Sequence, residues 1–220
     1  MILAVTAGKG GVGKSTVALN LAAELDAVAV DADLSMADLP TGRGPDLHDV
    51  LAGRASAVEA VDDSGSVAVL ACGRSLAGAR AADPTAIGDA LDAVANQYGR
   101  VVVDCPAGAS SDAGIPLLAA DACVLVTRPT EAALADALRA RELARAVETP
   151  LARVVLNRAP EMTTADIATA LGAPVTRLPE SDPLARAQRH GQPVSAVAPD
   201  CPASERFAAL AADVHSALRS

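Results

Sequence analysis

Lysine is nearly absent from this chain of 220 residues, in which every basic side chain except Lys9 and Lys14 is an arginine or a histidine. Aromatic side chains are equally scarce, because the chain has no tryptophan and only Tyr98 and Phe207. A core with so few aromatic rings is built from smaller residues, so we expect Ala, Val and Leu to fill it. Both lysines lie within residues 9–16, and a compact ammonium group on a flexible stem is suited to binding phosphate.

Motifs for metal clusters and disulfides are also missing. The cysteines are widely separated and include no Cys-x-x-Cys pair, so neither a zinc site nor a disulfide framework is predicted; they are Cys72, Cys105, Cys123 and Cys201. We expect Cys123 to be a small core residue and Cys105 to have a structural role. The histidines, His48, His190 and His215, show no metal-ligand spacing.

No apolar run approaches the length of a membrane-spanning helix, and the chain begins directly with its first predicted strand, without room for a signal peptide. We therefore expect a cytoplasmic protein. The formal charge of −9 and the surplus of aspartate are similar to those of halophile proteins. Because an acidic surface repels itself unless it is screened, we expect the stability of the protein to depend on molar salt.

Residues 8–15 fit the P-loop pattern Gly-x-x-x-x-Gly-Lys-Ser, in which glycines let successive backbone N–H groups wrap around the phosphates of a nucleotide. A strand is predicted before it at Ile2–Thr6 and a helix after it at Ser15–Leu25, so the phosphates would meet a helix N-terminus. This order makes a chance glycine-rich turn a poor explanation. The predicted nucleotide-binding residues here are Lys9, Gly10, Gly11, Val12, Gly13, Lys14, Ser15 and Thr16.

Within this loop, Lys14 would contact the β- and γ-phosphates of ATP, Ser15 would bind Mg²⁺, and Thr16 would bond on the α-phosphate side. An ordinary P-loop does not need Lys9. With it, Lys-Gly-Gly-Val-Gly-Lys-Ser-Thr resembles the deviant Walker A motif of the MinD/ParA family of ATPases. The resemblance implies that Lys9 reaches the ATP of the other subunit in a sandwich homodimer, as an arginine finger does elsewhere, so that hydrolysis to ADP depends on dimerisation.

Two aspartates follow the second predicted strand, Ala27–Val30. The segment Asp31–Leu39 resembles switch I of MinD-like proteins, which implies that Asp33 orients the attacking water and contacts Mg²⁺ indirectly, with Asp31 in support. The C-terminal end of a strand is also where an open α/β sheet places its ligands. If the P-loop were absent, a solvated acidic turn would be an equally good interpretation in a chain so rich in aspartate.

A further carboxylate, that of Asp104, ends the apolar run that follows Arg100. This run resembles a Walker B segment, so Asp104 would hold Mg²⁺ through water, close to Ser15. The residues that follow, Pro106–Gly108, resemble switch II, a loop that changes shape when the γ-phosphate leaves. The polar stretch 110–112 is suited to capping the next helix.

The base of the nucleotide would lie near the strand predicted at Val154–Arg158. Its Asn157 carries both the hydrogen-bond donor and the acceptor that an adenine edge requires. The family resemblance implies that Asn157 and Arg158 bind adenine and that Pro179 belongs to the loop beside the base. An Asn-Arg pair after a strand is weak evidence for adenine binding by itself. Its order and distance along the chain relative to the preceding motifs add weight.

Strand-like runs alternate with helical stretches along the whole chain, which predicts an α/β fold with a doubly wound, mostly parallel sheet. The length favours a single domain over residues 1–220. Residues 47–53, an expected strand at Val67–Ala71 and residues 82–84 resemble the middle region of archaeal MinD proteins more than that of ParA.

The last predicted helix, at about 204–218, carries an apolar stripe: Phe207, Leu210, Ala211, Val214 and Leu218. Its polar face has no lysine cluster, so packing on the sheet is favoured over a membrane anchor, although the resemblance leaves peripheral attachment to a membrane open. DNA binding is not expected. The basic residues of one helix, Arg139, Arg141 and Arg145, are few for an acidic protein and favour local ion pairs.

We therefore predict an Mg²⁺-dependent, MinD-like ATPase that dimerises with ATP, acts in cell division or spatial positioning, and works with an unidentified protein partner or activator. Two alternatives stay open. One is a ParA-like DNA-partitioning ATPase, and the other is a nucleotide-binding carrier of a metal cluster, which would need paired cysteines.

Overall fold

The computed structural model describes residues 1–34, 37–40, 44–73, 75–162 and 164–219. Within these ranges a seven-stranded sheet has the order β3-β2-β4-β1-β5-β6-β7, and its neighbouring strands are all parallel. The strands are β1 (Ile2–Ala7), β2 (Val28–Asp31), β3 (Val69–Leu70), β4 (Val101–Asp104), β5 (Ala122–Thr127), β6 (Leu151–Asn157) and β7 (Val175–Leu178).

Helices connect the strands and cover both faces of the sheet, as parallel strands require. They are α1 (Lys14–Leu25), α2 (Leu47–Leu51), α3 (Leu76–Ala81), α4 (Ile87–Tyr98), α5 (Ser111–Leu118), α6 (Glu131–Ala146), α7 (Ala165–Leu171), α8 (Asp182–Arg189), α9 (Val194–Val197) and α10 (Pro202–Ala217), with a 3₁₀ turn at Pro84–Ala86. The predicted α/β fold with a doubly wound parallel sheet is confirmed.

The central strand β1 divides the core into two layers. Its Leu3 and Val5 pack with α1 and α10 on one face, whereas Ile2 and Ala4 pack with α2, α4 and α5 on the other. This alternation follows from the two-residue repeat of a strand, and both sets are apolar because helices cover both faces. As expected, small aliphatic side chains fill most of the core, with Phe207 as a fully buried exception.

The C-terminal helix α10 packs against α1 and the sheet through the predicted stripe. Phe207, Leu210 and Val214 are fully buried, and Leu218 packs against the same cluster. The helix begins two residues before the predicted start because Pro202 fits its first turn, where no backbone donor is needed. In the portion of the chain that is described, no helix has both the length and the apolar character to cross a membrane.

Three local predictions differ from the structure. The strand expected at Val67–Ala71 contains only Val69–Leu70, which pair with Ala29 and Val30 of β2. The short helices α3 and α9 were not predicted, since four to six residues show too little periodicity. Ser110 occupies the position before α5, but its side chain makes no capping hydrogen bond.

The topology brings the polar residues of distant segments to the carboxyl edge of the sheet. The P-loop follows β1, while Asp31, Asp104 and Asn157 end β2, β4 and β6. Asp31 and Asp104 are paired in register on neighbouring strands, and Asp104 is paired with Val5 of β1 on its other side. This edge is where an open parallel sheet binds its ligands.

Candidate nucleotide site

A cavity of about 1000 Å³ lies at this edge of the sheet. The P-loop forms its floor through residues 9–11 and 13–16, and the segments after β2 and β4 form polar walls. Arg158 and Gln188 line one part of the cavity, and the side chains of α3, α4 and α5 add apolar surface. The cavity is large enough for a small-molecule ligand of nucleotide size.

Glycines shape the P-loop at two close contacts. At Gly8, a β-carbon would lie 2.1 Å from the backbone of Asp136 in α6, so only glycine permits this approach. At Gly13, φ is 101° and a β-carbon would lie 2.1 Å from the side-chain nitrogen of Asn157. The space above Gly10 and Gly11 is open, which leaves their backbone on the cavity side accessible to a ligand.

Lys14 and Asp104 form a buried ion pair at the bottom of the cavity. The Lys14 Nζ atom lies 2.5 Å from the Asp104 Oδ1 atom, and the two side chains are 6% and 0% exposed. Burial alone would lower the pKa of Lys14, but the adjacent Asp104 carboxylate raises it above its ordinary value. Lys14 is therefore a fixed positive charge where the strand, loop and helix meet.

The second oxygen of Asp104 is the best indication of a cation site. Asp104 Oδ2 is buried and has no hydrogen-bond partner among the described residues. Nearby, the Ser15 hydroxyl donates to Asp38 Oδ2 at 3.2 Å. A hydroxyl and carboxylate oxygens are the hard ligands that Mg²⁺ requires, often with intervening waters, so the residues present fit this ion.

Asp31 organises the polypeptide that follows β2. Its Oδ2 atom accepts hydrogen bonds from the backbone N–H groups of Asp38 and Leu39 at 2.8 and 3.0 Å, and its Oδ1 atom accepts one from Asp33 at 3.3 Å. Asp31 is completely buried, and this burial raises its pKa to about 7. The Asp31 carboxylate therefore ties the backbone at Asp33, Asp38 and Leu39 to the end of β2, and its supporting role in hydrolysis stays a prediction.

Asp33 is half-buried and lines the cavity beside Leu34. Two other residues of the predicted switch segment, Ser35 and Met36, lie outside the described residues. In the segment after β4, Pro106 and Ala107 line the cavity, and Gly108 donates its backbone N–H to Ala7 at 2.8 Å. Both predicted switch segments therefore border the same cavity as the P-loop.

Lys9 lies in a different environment from Lys14. Its side chain is exposed at the margin of the cavity, and no carboxylate among the described residues forms an ion pair with it. Thr16, in contrast, is mostly buried, and Val12 points into the core beneath the loop. Of the eight predicted loop residues, only the Val12 side chain is absent from the cavity wall.

The residues expected near adenine occupy distinct positions. Asn157 is buried, donates to the Val12 carbonyl at 2.7 Å and accepts from the Arg158 backbone N–H at 3.0 Å. Arg158 is exposed and lines the cavity, whereas Pro179 is exposed just after β7 and does not line it. Contacts of these residues with a base stay predictions.

Among the polar residues that line the cavity, Asp38, His48 and Gln188 were not assigned individual roles by the sequence. Asp38 lay within the proposed switch segment, but nothing in the local pattern connects it with Ser15. His48 and Gln188 belong to helices whose direction relative to the cavity depends on tertiary packing. The apolar pattern of a helix identifies its core face and leaves the role of its polar residues open.

Three of the four cysteines are buried in the core. Cys105 and Cys123 are completely buried, Cys72 is nearly so, and Cys201 is partly exposed; all four are free thiols. Burial raises the pKa of Cys105, so its thiol is protonated and inert despite its position just after Asp104. The core role expected for Cys123 is confirmed.

Comparison with known proteins gives a family match over most of the chain. A family model described as the CobQ/CobB/MinD/ParA nucleotide binding domain matches residues 3–194. An ATP-binding protein of uncharacterized function from Methanocaldococcus jannaschii is 31% identical over 226 residues, covering 96% of this chain and 86% of the relative.

Solved structures of similar shape include two from archaea. The cell division ATPase MinD of Pyrococcus furiosus has a TM-score of 0.90 and 27% identity, covering 98% of each chain. The septum site-determining protein MinD of Pyrococcus horikoshii, complexed with Mg-ADP, has a TM-score of 0.89 and 26% identity, covering 97% of this chain and 95% of the other.

Proposed function

This chain belongs to the CobQ/CobB/MinD/ParA family of nucleotide-binding domains, and we propose that it is a MinD-like ATPase whose dimerisation is switched by ATP. The whole chain would act as one domain that hydrolyses ATP to ADP and phosphate. The likeness to a cell division ATPase over 98% of the chain supports a role in cell division or spatial positioning. The cytoplasmic location stays a prediction.

The contrast between the two lysines carries this proposal. Lys14 is buried in an ion pair, whereas Lys9 is exposed at the margin of the same cavity, without a carboxylate partner in the described structure. An ammonium group in that position is available to the nucleotide of a second subunit. In such a dimer Lys9 would stabilise the charge that develops on the phosphates during hydrolysis.

The remaining site residues divide the work of binding and hydrolysis. The P-loop backbone and Lys14 would hold the phosphates, and Thr16 would contact them at the helix N-terminus. Ser15 would bind Mg²⁺, with Asp104 and Asp33 acting through water. When bound, the ion neutralises charge on the phosphates. Asp33 would orient the water that attacks the γ-phosphate.

At the other end of the nucleotide, Arg158 and Gln188 would contact the base or sugar, and their position in the cavity wall supports this role. Asn157 would combine two tasks, because its amide already supports the P-loop through Val12. The role of Pro179 would require a base that extends past β7. Adenine is the proposed base, because the resemblance to the MinD/ParA family implies that Asn157 and Arg158 bind it.

The decisive experiment measures molecular mass in solution with ADP-Mg²⁺ and with ATP-Mg²⁺, using Asp33→Ala to slow hydrolysis. We expect one subunit of 21.9 kDa with ADP and twice that mass with ATP. Lys9→Ala should abolish dimerisation while leaving nucleotide binding within about threefold. The matched control is Arg189→Ala, which removes an exposed positive charge outside the cavity and should leave the dimer intact.

The result also separates the possible classes of protein. One mass with every nucleotide, despite measured ATP binding, would contradict the dimer switch and leave a nucleotide-binding module. Absence of hydrolysis by the wild-type protein, with or without added partner proteins, would contradict the ATPase. Unidentified partners or activators are expected to act on the ATP dimer, so capture experiments should use that state.

The alternatives have less structural support. In α6, Arg139 pairs with Asp136, while Arg141 and Arg145 pair with Glu142, so these arginines are engaged in local ion pairs. They offer little free charge for a DNA-partitioning role. A metal-cluster carrier would need exposed, paired thiols, but three of the cysteines are buried. Membrane attachment through α10 would require release of Phe207 from the core.

A further inference from the structure

His48, in the first turn of α2, is a buried polar side chain that the proposed mechanism does not use. It is 2% exposed, and its Nε2 atom lies 3.1 Å from the backbone carbonyl oxygen of Leu34. The same nitrogen lies 3.5 Å from the Sγ atom of Cys72. Leu34 directly follows Asp33, so His48 contacts the segment proposed to orient the attacking water.

The direction of this hydrogen bond follows from chemistry. A carbonyl oxygen only accepts, so the Nε2 atom of His48 must carry the proton and donate it to Leu34. Burial raises the pKa of Cys72 to about 12, so its thiol stays neutral and is at most a weak acceptor. The Leu34 carbonyl is therefore the principal partner of the ring.

The ring is held on a rigid support. A β-carbon at Gly73 would lie 2.1 Å from the His48 Nδ1 atom, and one at Gly78 would lie 3.0 Å from it, so two glycines make room for the imidazole. The helix itself is anchored because the Leu47 N–H donates to Ala71 at 2.9 Å and the Asp46 side chain caps its N-terminus. A ring enclosed in this way has little freedom to change its direction.

We propose that His48 is a positioning residue for ATP hydrolysis, which fixes the backbone at Leu34 and thereby the direction of Asp33. This inference rests on the function proposed above. Asp31 holds the segment from the sheet side through three backbone N–H groups, and His48 holds it from α2 through a carbonyl group. The backbone groups held in this way belong to Asp33 itself, to Leu34 directly after it, and to Asp38 and Leu39 further along.

Isosteric substitutions separate the hydrogen bond from simple filling of space. His48→Gln can place an amide N–H near the position of Nε2, His48→Asn mimics the Nδ1 side, and His48→Leu keeps volume without a donor. We expect kcat for ATP hydrolysis to fall about tenfold in the Asn and Leu variants, with the KM for ATP changed by less than about twofold. The Gln variant should retain at least about a third of the wild-type kcat.

Hydrogen exchange supplies a readout that does not need activity. With ADP-Mg²⁺ bound, amides of the segment 31–39 should exchange about tenfold faster in the Asn and Leu variants than in the wild type and the Gln variant. Equal kcat and equal exchange in all variants would overturn the inference. Equal losses in Gln, Asn and Leu would also overturn it, because filling of space would then be the only role of His48.

Failure of the proposed function gives a different pattern. If the wild-type protein binds ATP but never hydrolyses it, the ATPase is wrong and His48 has no hydrolysis to support. The exchange comparison would then still decide whether His48 fixes the segment after β2. Unchanged affinity for ADP-Mg²⁺ in all three variants verifies that the site is folded when the comparison is made.

Discussion

The side-chain amide of Asn157, at the end of β6, donates a hydrogen bond to the backbone carbonyl of Val12 across 2.7 Å, although the two residues are 145 positions apart. The contact ties the P-loop to a strand on the far side of β5. Gly13 directly follows Val12, and a β-carbon at Gly13 would lie 2.1 Å from the same amide nitrogen. The shape of the loop is therefore decided partly by a residue that was expected to contact the base.

Gly13→Ala should damage the P-loop. The added β-carbon would lie 2.1 Å from the Asn157 side chain, and the φ of 101° is strained for alanine, which costs about 1–3 kcal/mol. We expect a lower free energy of unfolding by urea and loss of ADP-Mg²⁺ binding by calorimetry. Gly10→Ala is the matched control for the stability measurement, because a β-carbon there meets no protein atom within 4 Å.

Adding Asn157→Ala to Gly13→Ala would relieve the overlap but not the strained φ. The double variant should therefore recover part of the lost stability, with a coupling energy of about 1 kcal/mol. Strict additivity of the two single effects would mean that the loop and the Asn157 side chain do not interact as the structure indicates.

Substitutions of the two lysines should differ in their effect on the free energy of unfolding of the nucleotide-free protein. Lys14→Met leaves the Asp104 carboxylate buried without its partner and should lower the free energy of unfolding by about 3 kcal/mol. Lys9→Met removes an exposed charge and should change it by less than about 0.5 kcal/mol. Both variants should lose hydrolysis. Similar stabilities, measured by urea unfolding in the same buffer, would contradict the ion-pair geometry.

Asp31 should make stability depend on pH. Its pKa is about 7 in the folded protein and near 4 when exposed, so between these values the folded state binds the extra proton. The free energy of unfolding should therefore fall as pH rises from about 4 to about 7, by up to about 4 kcal/mol, and stay low above that range.

The measurement for this prediction is a series of urea titrations of the nucleotide-free protein between pH 5 and 8, compared with Asp31→Asn. The variant lacks the titrating group, so the difference between the two proteins should shrink or reverse as pH rises. Parallel curves for the two proteins would mean that Asp31 does not titrate in this window.

The packing of α10 can be tested by a substitution at Phe207. Phe207→Ala should lower the free energy of unfolding by about 3–5 kcal/mol, because a fully buried ring would leave a cavity between α10 and the sheet. Leu118→Ala, at a side chain that is 70% exposed, should change it by less than about 0.5 kcal/mol. A small effect of Phe207→Ala would indicate that α10 is not docked in solution.

Salt should stabilise the protein because its formal charge is −9. Repulsion among surface carboxylates is screened as the Debye length falls from about 10 Å in 0.1 M salt to about 3 Å in 1 M salt. We expect the melting temperature to rise between dilute buffer and molar KCl. A melting temperature that stays the same would remove the halophilic interpretation.

Much of the fold could be predicted because the local patterns are strong. The buried run at β1, the glycine-rich loop and the helix α1 follow one another in a short segment, and each element was expected within a few residues of its observed position. The strand β3 was predicted too long because only Val69 and Leu70 of its apolar run pair with β2, and the run by itself does not show where pairing stops. The short helices α3 and α9 were not predicted, because they have too few residues to show helical periodicity.

The site was predictable in its residue types more than in its contacts. The order of glycines, lysines and hydroxyl residues in the P-loop indicates phosphate chemistry, and an aspartate at the end of a predicted strand indicates the edge where ligands bind. The partnership of Ser15 with Asp38, and that of His48 with Leu34, has no local signal. These pairs form because separate segments of the chain meet at one edge of the sheet.

By itself, then, the sequence determined the elements, their parallel arrangement and the position of the candidate phosphate-binding loop, because backbone preference and apolar periodicity act over short stretches. Tertiary structure decided that Lys14 is buried against Asp104 while Lys9 stays exposed, although both belong to one loop. Burial and charge pairing depend on which strands become neighbours, and β1 and β4 are neighbours although Lys14 and Asp104 lie 90 positions apart in the chain.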